Sequence, residues 1–284
     1  MDQSSANLIG KPSAANFAME NTGERMLPGQ ADARTFWEHI YRYRFATGFV
    51  RGKRVLDIAC GEGYGTAALQ KSGALNVIGV DISEEACAHA RKKYGIETRL
   101  GSAEAIPLED ASVEVVVSFE TIEHVPHPEI FLDECRRVLR PGGSLVISTP
   151  NREAYRQMSP NNTFHCAELS HEEFVGICAK RFDSVQYFSQ RPISTGRWSL
   201  RGMAMPYKST QVPGIKARLG WALQPRLCPN LSTAATEYYG DHPIEAIMSR
   251  PRCFSSMVDP YAIRKYVSAT SECPIFTLAV AKRT

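Results

Sequence analysis

Arg54–Gly65 reads RVLDIACGEGYG. Val55, Leu56, Ile58 and Ala59 make a short apolar run with β-branched members, the composition of a strand buried on both faces of a parallel sheet. The run stops at Cys60, and Gly61, Gly63 and Gly65 follow at alternate positions. TAALQKSG comes next, a good helix former that ends on Ser72-Gly73 as a stop signal. Strand, glycine turn and helix together open a nucleotide-binding α/β unit. Its glycines permit positive φ and let a ligand approach the backbone closely.

The next acidic landmark is Asp81, which ends a second apolar strand, NVIGVD (76–81), before Ser83 starts another helix. An acid about 20 residues past the glycine turn, at a strand's carboxyl end, suits a bidentate hold on ribose hydroxyls. That alone fits NAD as well as S-adenosylmethionine. Two details separate them. Counted from Gly61, the dinucleotide pattern meets Thr66 at its last position. Asp57 within the first strand and Glu62 within the loop would also repel a pyrophosphate, and favour a ligand bearing an ammonium and a sulfonium.

At 284 residues the chain has room for one α/β domain and an extra module. Its 43% hydrophobic and 22% charged residues are those of a globular protein, and a net charge of +3 does not by itself argue for nucleic acid. No apolar run approaches the roughly 18–20 residues that span a membrane, and no signal peptide is read at the N-terminus. The eight cysteines are scattered, with no zinc spacing, and read as reduced thiols of a cytoplasmic protein. No metal-ligand cluster stands out.

Four motifs in order, VLDIACGEGYG (55–65), VIGVDIS (77–83), VVVSFETIEHV (115–125) and RRVLRPGGSLVISTPN (136–151), resemble the class I S-adenosylmethionine-dependent methyltransferases of the type 11 kind. The segment GERM (23–26) is similar to those of bacterial relatives tied to glycan and natural-product assembly. The resemblance implies an α/β fold with a doubly wound, mainly parallel seven-stranded Rossmann-like sheet and an antiparallel edge strand. It also implies S-adenosyl-L-methionine as cofactor. Asp57, Ala59, Gly61 and Gly63 would hold its methionine end and Asp81 its ribose, with Ile82 and Phe119 among the further cofactor-binding residues. Ala59 stands where many relatives carry glycine. Ser102 stands where an aspartate commonly reads the adenine, beside Ala103 and Glu104, with Ile106, Pro107 and Leu108 as the adenine wall.

The expected organisation is a loose N-terminus (1–19), a cap over the cofactor (20–52), the core (53–189 and 273–284) and a long insertion (190–272) acting as a substrate lid. The helix DARTFWEHIYRYRFATGFV (32–50) would present Phe36, Ile40, Tyr43 and Phe45 inward. In relatives such a helix covers the methionine end, so Arg44 or Arg42 is a candidate partner for the cofactor carboxylate. Pro128–Leu139 reads as a helix with Ile130, Phe131, Cys135, Val138 and Leu139 inward. FDSVQYF (182–188) and PIFTLAVA (274–281) read as the last two strands, the latter at the edge.

Two histidines are candidates for catalysis. His124 leaves the fourth strand, where ligands bind in open α/β sheets, with Glu120 and Glu123 beside it. It is either a base or a brace under the cofactor. His165 lies in NNTFHCAEL (161–169), similar to an N-P-F-H-x-x-E-L loop of the glycan-linked relatives, with Thr163 in place of the proline. It is the first candidate for general base, since an imidazole with a pKa near ~6.5 takes a hydroxyl proton at neutral pH. His171, on the next helix start, reads as solvated.

Residues 191–230 carry seven Lys or Arg and no Asp or Glu, interleaved with aromatics, which fits a phosphate-bearing acceptor. EYYGDHPI (237–244) is expected near the same cavity. The D/N-P-P-Y/F exit of nucleobase and amide methyltransferases is missing after the fourth strand. The favoured activity is methyl transfer to a hydroxyl of a sugar, nucleotide-sugar or glycan intermediate. The alternatives are an amine acceptor, an NAD-dependent oxidoreductase and a non-catalytic cofactor-binding protein.

Overall fold

A computed structural model describes residues 25–156, 162–190, 241–248, 263–265 and 276–284. The expected loose N-terminus and most of the insertion, with its basic stretch, lie outside the described residues.

The described elements are α1 (Ala33–Thr47), β1 (Arg54–Ile58), α2 (Tyr64–Lys71), β2 (Asn76–Asp81), α3 (Glu84–Tyr94), β3 (Glu97–Leu100), β4 (Val113–Phe119), a 3-10 turn (Ile122–His124), α4 (Pro128–Val138) and β5 (Leu139–Pro150). After them come α5 (Arg152–Tyr155), α6 (His171–Ala179), β6 (Ser184–Gln190), α7 (Pro243–Met248), β7 (Arg264–Lys265) and β8 (Phe276–Lys282). They form one sheet in the order β3-β2-β1-β4-β5-β8-β6-β7. The pairs from β3 through β5 are parallel. Chain order reverses between β1 and β4, and that switch point opens a crevice beyond the strands' carboxyl ends.

The fold class is the one expected, with one strand placed differently. β8 inserts antiparallel between β5 and β6, two positions in from the sheet's edge. The two-residue β7 then pairs antiparallel with β6 at the margin. Six of the seven residues of β8 are buried, as befits a strand flanked on both sides.

Alternation along each strand divides the core into two layers. Val55, Val77, Val115, Val117 and Val146 face α1, α2 and α7. Leu56, Ile78, Val116, Leu145 and Ile147 face α4 and α6. Neighbouring residues therefore bury against opposite layers, which is why these strands are apolar throughout. The helix starts follow local signals. Asp32 caps α1 by accepting from Arg34 N and Thr35 N, Ser83 caps α3, and Ser170 with Glu173 completes a capping box on α6.

Two expectations about helix faces are corrected. In α4 the buried set is Phe131, Leu132, Cys135 and Val138, while Ile130 is exposed. Pro128 is the helix's first residue, so Ile130 lies in the first turn, on the solvent side. α1 is buried on more than one face: Phe36, Ile40 and Tyr43 are inside, and so are Trp37, Tyr41 and Arg42. α7 covers one side of it and α2 another, leaving little of the helix to solvent.

Candidate active site

The site is built from the ends of β1, β2 and β4. Asp81 closes β2 and is buried. Its Oδ2 accepts from Gly61 N at 2.8 Å and its Oδ1 from Ser83 N at 2.9 Å. The carboxylate thus ties the glycine turn to the start of α3. Ile82, beside it, is 74% exposed, an apolar side chain left bare at the crevice rim.

The three glycines of the turn answer different demands. Gly61 has φ +53°, and a Cβ added there would meet nothing within 4 Å, so the backbone at this point faces open space. Gly63 has φ +92°, and its Cβ would fall 2.6 Å from Ala90 Cβ, so its need is close packing of α2 on α3. A Cβ on Gly65 would lie 2.0 Å from Tyr43 Cζ, because the Tyr43 ring rests on the first turn of α2. Ala59 also adopts φ +58°, so it holds a left-handed conformation that favours the glycine of many relatives.

Asp57 is placed differently from the expectation that it would meet the cofactor's ammonium directly. It is fully buried inside β1, and protein groups take both its oxygens. Thr66 Oγ1 donates to Oδ2 at 2.6 Å, and Tyr43 OH lies 3.3 Å from both oxygens. Burial pushes its pKa up to about 7. The hydrogen bonds from Thr66 and Tyr43 act against that rise, and nearby Asp81 adds to it. Burial holds the Tyr43 phenol well above its ordinary value, so it remains a donor. Tyr43 also packs edge-on against Tyr64 and Phe119, at 5.4 and 5.2 Å between ring centroids. Thr66, which broke the dinucleotide pattern, is the residue that anchors Asp57.

Glu62 likewise turns away from the crevice. Its Oε1 accepts from Lys93, His89 and Tyr94, so its charge is matched against α3. Arg44, expected near the cofactor carboxylate, donates instead to the backbone carbonyls of Ala246 and Ile247 and holds α7 onto α1. Arg42 is the arginine that turns toward the β4 exit. It is buried, stacked 4.6 Å over the Phe276 ring, bonded to Gln190 Oε1 at 2.9 Å and 3.7 Å from Glu120 Oε1.

Beyond β3, Ser102 Oγ accepts from Glu104 N at 3.1 Å, and Ser102 bridges to Ala105. Glu104 was expected at the adenine. Its carboxylate lies on α4's start, accepting from His127 N at 2.7 Å and lying 3.0 Å from His127 Nδ1. Ile106 and Leu108 are buried, whereas the adjacent Pro107 packs its ring under Gly101.

The structure brings the two candidate histidines together. Their rings stand perpendicular, 4.9 Å apart. The loop carrying His165 is pinned to the 3-10 turn because Cys166 N and Ala167 N both donate to Glu123 O at 3.0 Å. His165 stacks on Tyr155 at 5.1 Å, and its Nδ1 lies 3.1 Å from Glu168 Oε1. Arg156 in turn holds Glu168 Oε2 at 2.7 Å. His124 Nδ1 lies 3.0 Å from the carbonyl of Phe164. His171 is elsewhere, half-buried against Thr277 and Tyr187, with burial lowering its pKa, so it is not the solvated residue expected.

Glu123 completes this group. Its Oε2 accepts from Thr149 at 3.2 Å, and its Oε1 is buried with no hydrogen-bond partner. Burial, and then the neighbouring Glu120, raise its pKa well above the carboxylate range. Glu120 itself sits at φ +54° and accepts from Ser148 Oγ at 2.6 Å. Ligand atoms of Glu123, His124 and His165 lie within 4.8 Å of one another. The sequence showed no such cluster because the two histidines stand 41 positions apart.

The residues fit the cofactor implied by the motifs. Gly61 leaves open space above the turn, the buried Asp81 carboxylate braces that turn through Gly61 N and Ser83 N, and Ile82 offers an exposed apolar surface beside it. A family profile described as "Methyltransferase domain" matches residues 56–147. A "probable S-adenosylmethionine-dependent methyltransferase" of Mycolicibacterium smegmatis is 42% identical over 175 residues, 60% of this chain and 67% of that one. One of Mycobacterium tuberculosis is 40% identical over 161 residues, 55% of this chain and 58% of that one. A ubiquinone biosynthesis O-methyltransferase of Azoarcus is 38% identical over 107 residues, 36% of this chain and 46% of that one. Among solved structures, an S-adenosylmethionine-dependent methyltransferase from Thermotoga maritima superposes with a TM-score of 0.54 at 17% identity, covering 88% of this chain and 94% of that one. At that identity the likeness is one of fold.

Proposed function

The chain belongs to the S-adenosylmethionine-dependent methyltransferases, with S-adenosyl-L-methionine as the family's cofactor, and from that premise we propose that it methylates a hydroxyl of a small molecule. The acceptor we propose is a sugar, nucleotide-sugar or glycan intermediate. The observation that carries an oxygen acceptor is the histidine pair at the β4 exit, since a hydroxyl must shed a proton to become a competent nucleophile. A relative named as an O-methyltransferase, 38% identical over 107 residues, supports the oxygen acceptor.

When bound, the cofactor supplies a methyl group made electrophilic by the sulfonium. Gly61 admits it close to the backbone, Asp81 meets the ribose hydroxyls and Ile82 flanks the adenine. Asp57 acts from below: with Thr66 and Tyr43 it fixes the strand end and the first turn of α2, and so sets the shape of the glycine loop. His165 takes the acceptor proton on its Nε2. Its ring is held for that by Tyr155 on one face and by Glu168 at Nδ1. His124 stands at right angles to it and fixes the other wall. The acid-free basic sequence of residues 191–230, which lies outside the described residues, suits a phosphate-bearing acceptor.

The test is methyl transfer from labelled S-adenosylmethionine to a panel of sugars, nucleotide-sugars and amines. The expected outcome is label in a hydroxyl-bearing acceptor, with His165→Ala lowering kcat by about 10²–10⁴-fold. Label in amines alone, or a His165→Ala variant as fast as the parent, contradicts the reading.

A further inference from the structure

We propose that Glu123, His124 and His165 form a binding site for one divalent transition-metal ion, of the zinc, manganese or cobalt kind. Three independent features of the described residues support this. The first is convergence. The 3-10 turn after β4 directs two adjacent side chains to one place, and the Glu123 carbonyl holds the His165 loop against them through two backbone hydrogen bonds. One ligand atom from each residue lies within 4.8 Å of the others. Metal–ligand bonds of about 2.0–2.1 Å at tetrahedral angles set ligand atoms about 3.4 Å apart, so rotations moving side chains by about 1 Å complete the geometry.

The second feature is the buried oxygen. Glu123 is 1% exposed, and its Oε1 has no donor. A buried carboxyl oxygen with no hydrogen-bond partner is unfavourable, and a cation would hold the group in its charged form. The nearby Arg42 favours the charged form of Glu123, but its guanidinium bonds Gln190 and pairs with Glu120 while its Nε, like Glu123 Oε1, has no hydrogen-bond partner, so the two groups do not satisfy each other.

The third feature is the proton placement. Each imidazole presents its Nδ1 to an oxygen that can only accept, the Phe164 carbonyl for His124 and the Glu168 carboxylate for His165. The tautomer with its proton on Nδ1 satisfies both oxygens and leaves the Nε2 lone pair for a ligand bond. A carboxylate or carbonyl behind the imidazole is the arrangement that orients metal-ligating histidines, and Arg156 secures Glu168 in turn.

Two histidines and one carboxylate leave at least one coordination position open, which is the pattern of a catalytic rather than a structural site. The role of the ion rests on the methyltransferase reading; its binding does not. An acceptor hydroxyl in the open position is acidified by the charge and loses its proton to solvent. The transfer then forms the O–CH3 bond, breaks the S–CH3 bond and leaves S-adenosylhomocysteine. With the ion in place the imidazoles are ligands, and the metal supplies the acidity that a free His165 would otherwise provide by taking the proton.

The experiment uses the full chain, stripped with a chelator and titrated calorimetrically with Mn²⁺ and separately with Zn²⁺, in the absence of cofactor and acceptor. One equivalent should bind. Glu123→Gln and His165→Ala should each weaken that binding at least 10-fold, and Cys166→Ser should leave it unchanged. Co²⁺ loaded into the unaltered chain should give visible absorption bands of histidine and carboxylate ligation, a readout independent of whether any variant folds. No stoichiometric binding of any of the three ions, or binding indifferent to Glu123→Gln and His165→Ala, overturns the site. Because the titration needs no methyl transfer, a chain that binds the ion yet methylates nothing refutes the activity and leaves the site standing.

Discussion

The hydroxyl of Thr66 donates to the carboxylate of Asp57 at 2.6 Å, joining the first turn of α2 to the interior of β1. Asp57 is fully buried, and the Tyr43 phenol approaches both its oxygens. The glycine turn between the two elements is held from beneath by this bond. Replacing Thr66 with valine keeps the shape and removes the donor. Stability should fall by about 1–3 kcal/mol, the usual consequence of leaving a buried polar group short of a partner. Thr66→Ser should restore most of it. Urea denaturation of the three proteins checks this; equal midpoints for Thr66→Val and the parent would dismiss the anchoring role.

The same carboxyl gives a pH signature. Its folded-state pKa is raised to about 7 by burial, above the value of 3.8 expected unfolded. Between those two values the folded state binds the extra proton. The contribution to stability is fully present below pH 4, declines as pH rises toward 7 and is flat above. Integrated over that window it is on the order of 4 kcal/mol. The difference in unfolding free energy between the parent and Asp57→Asn isolates it. A difference constant from pH 4 to pH 7 would show that Asp57 titrates normally.

Gly61 and Gly65 should respond to alanine in opposite ways. At Gly65 the new methyl meets the Tyr43 ring 2.0 Å away, displacing the phenol from Asp57 and costing about 1–3 kcal/mol of stability, as overpacking does. At Gly61 the methyl enters open space, so the strain is confined to the positive φ, while the surface a ligand would approach is obstructed. Thermal melts and titration with S-adenosylhomocysteine separate the two. Gly65→Ala should lose mainly stability, and Gly61→Ala mainly affinity.

Ala59 holds φ +58° at a position where glycine is at ease. Ala59→Gly should therefore gain about 0.5–1 kcal/mol, the relief of left-handed strain less the added freedom of the unfolded chain. A loss of stability on chemical denaturation would mean the alanine methyl contributes packing that outweighs its backbone strain.

What could be read from the sequence was whatever depends on neighbours in the chain. The apolar runs of β1, β2 and β4, the glycine turn and the Ser170–Glu173 capping box are local patterns, and each lies where the pattern put it. Pairing Asp81 with the glycine turn also follows from a short spacing. Arg42 shows where such reading stops: a charged side chain on an amphipathic helix looks solvated until Phe276 and Gln190, more than 140 residues away, are brought against it. Arg44 and Glu104 were assigned to the cofactor by type and position, but tertiary contacts bond them to α7 and to the start of α4. The junction of Glu123 and His124 with His165 arises only when the loop folds back onto β4.

A cofactor site that turns on Asp81 is tested by calorimetric titration with S-adenosylhomocysteine. The unaltered chain should bind one equivalent with a micromolar or tighter Kd. Asp81→Ala, checked by circular dichroism for retained fold, should weaken binding at least 100-fold, since it removes the proposed ribose contact and the bond that positions Gly61. An unaltered chain that binds no S-adenosylhomocysteine, or a folded Asp81→Ala variant that binds it as tightly, would contradict the site.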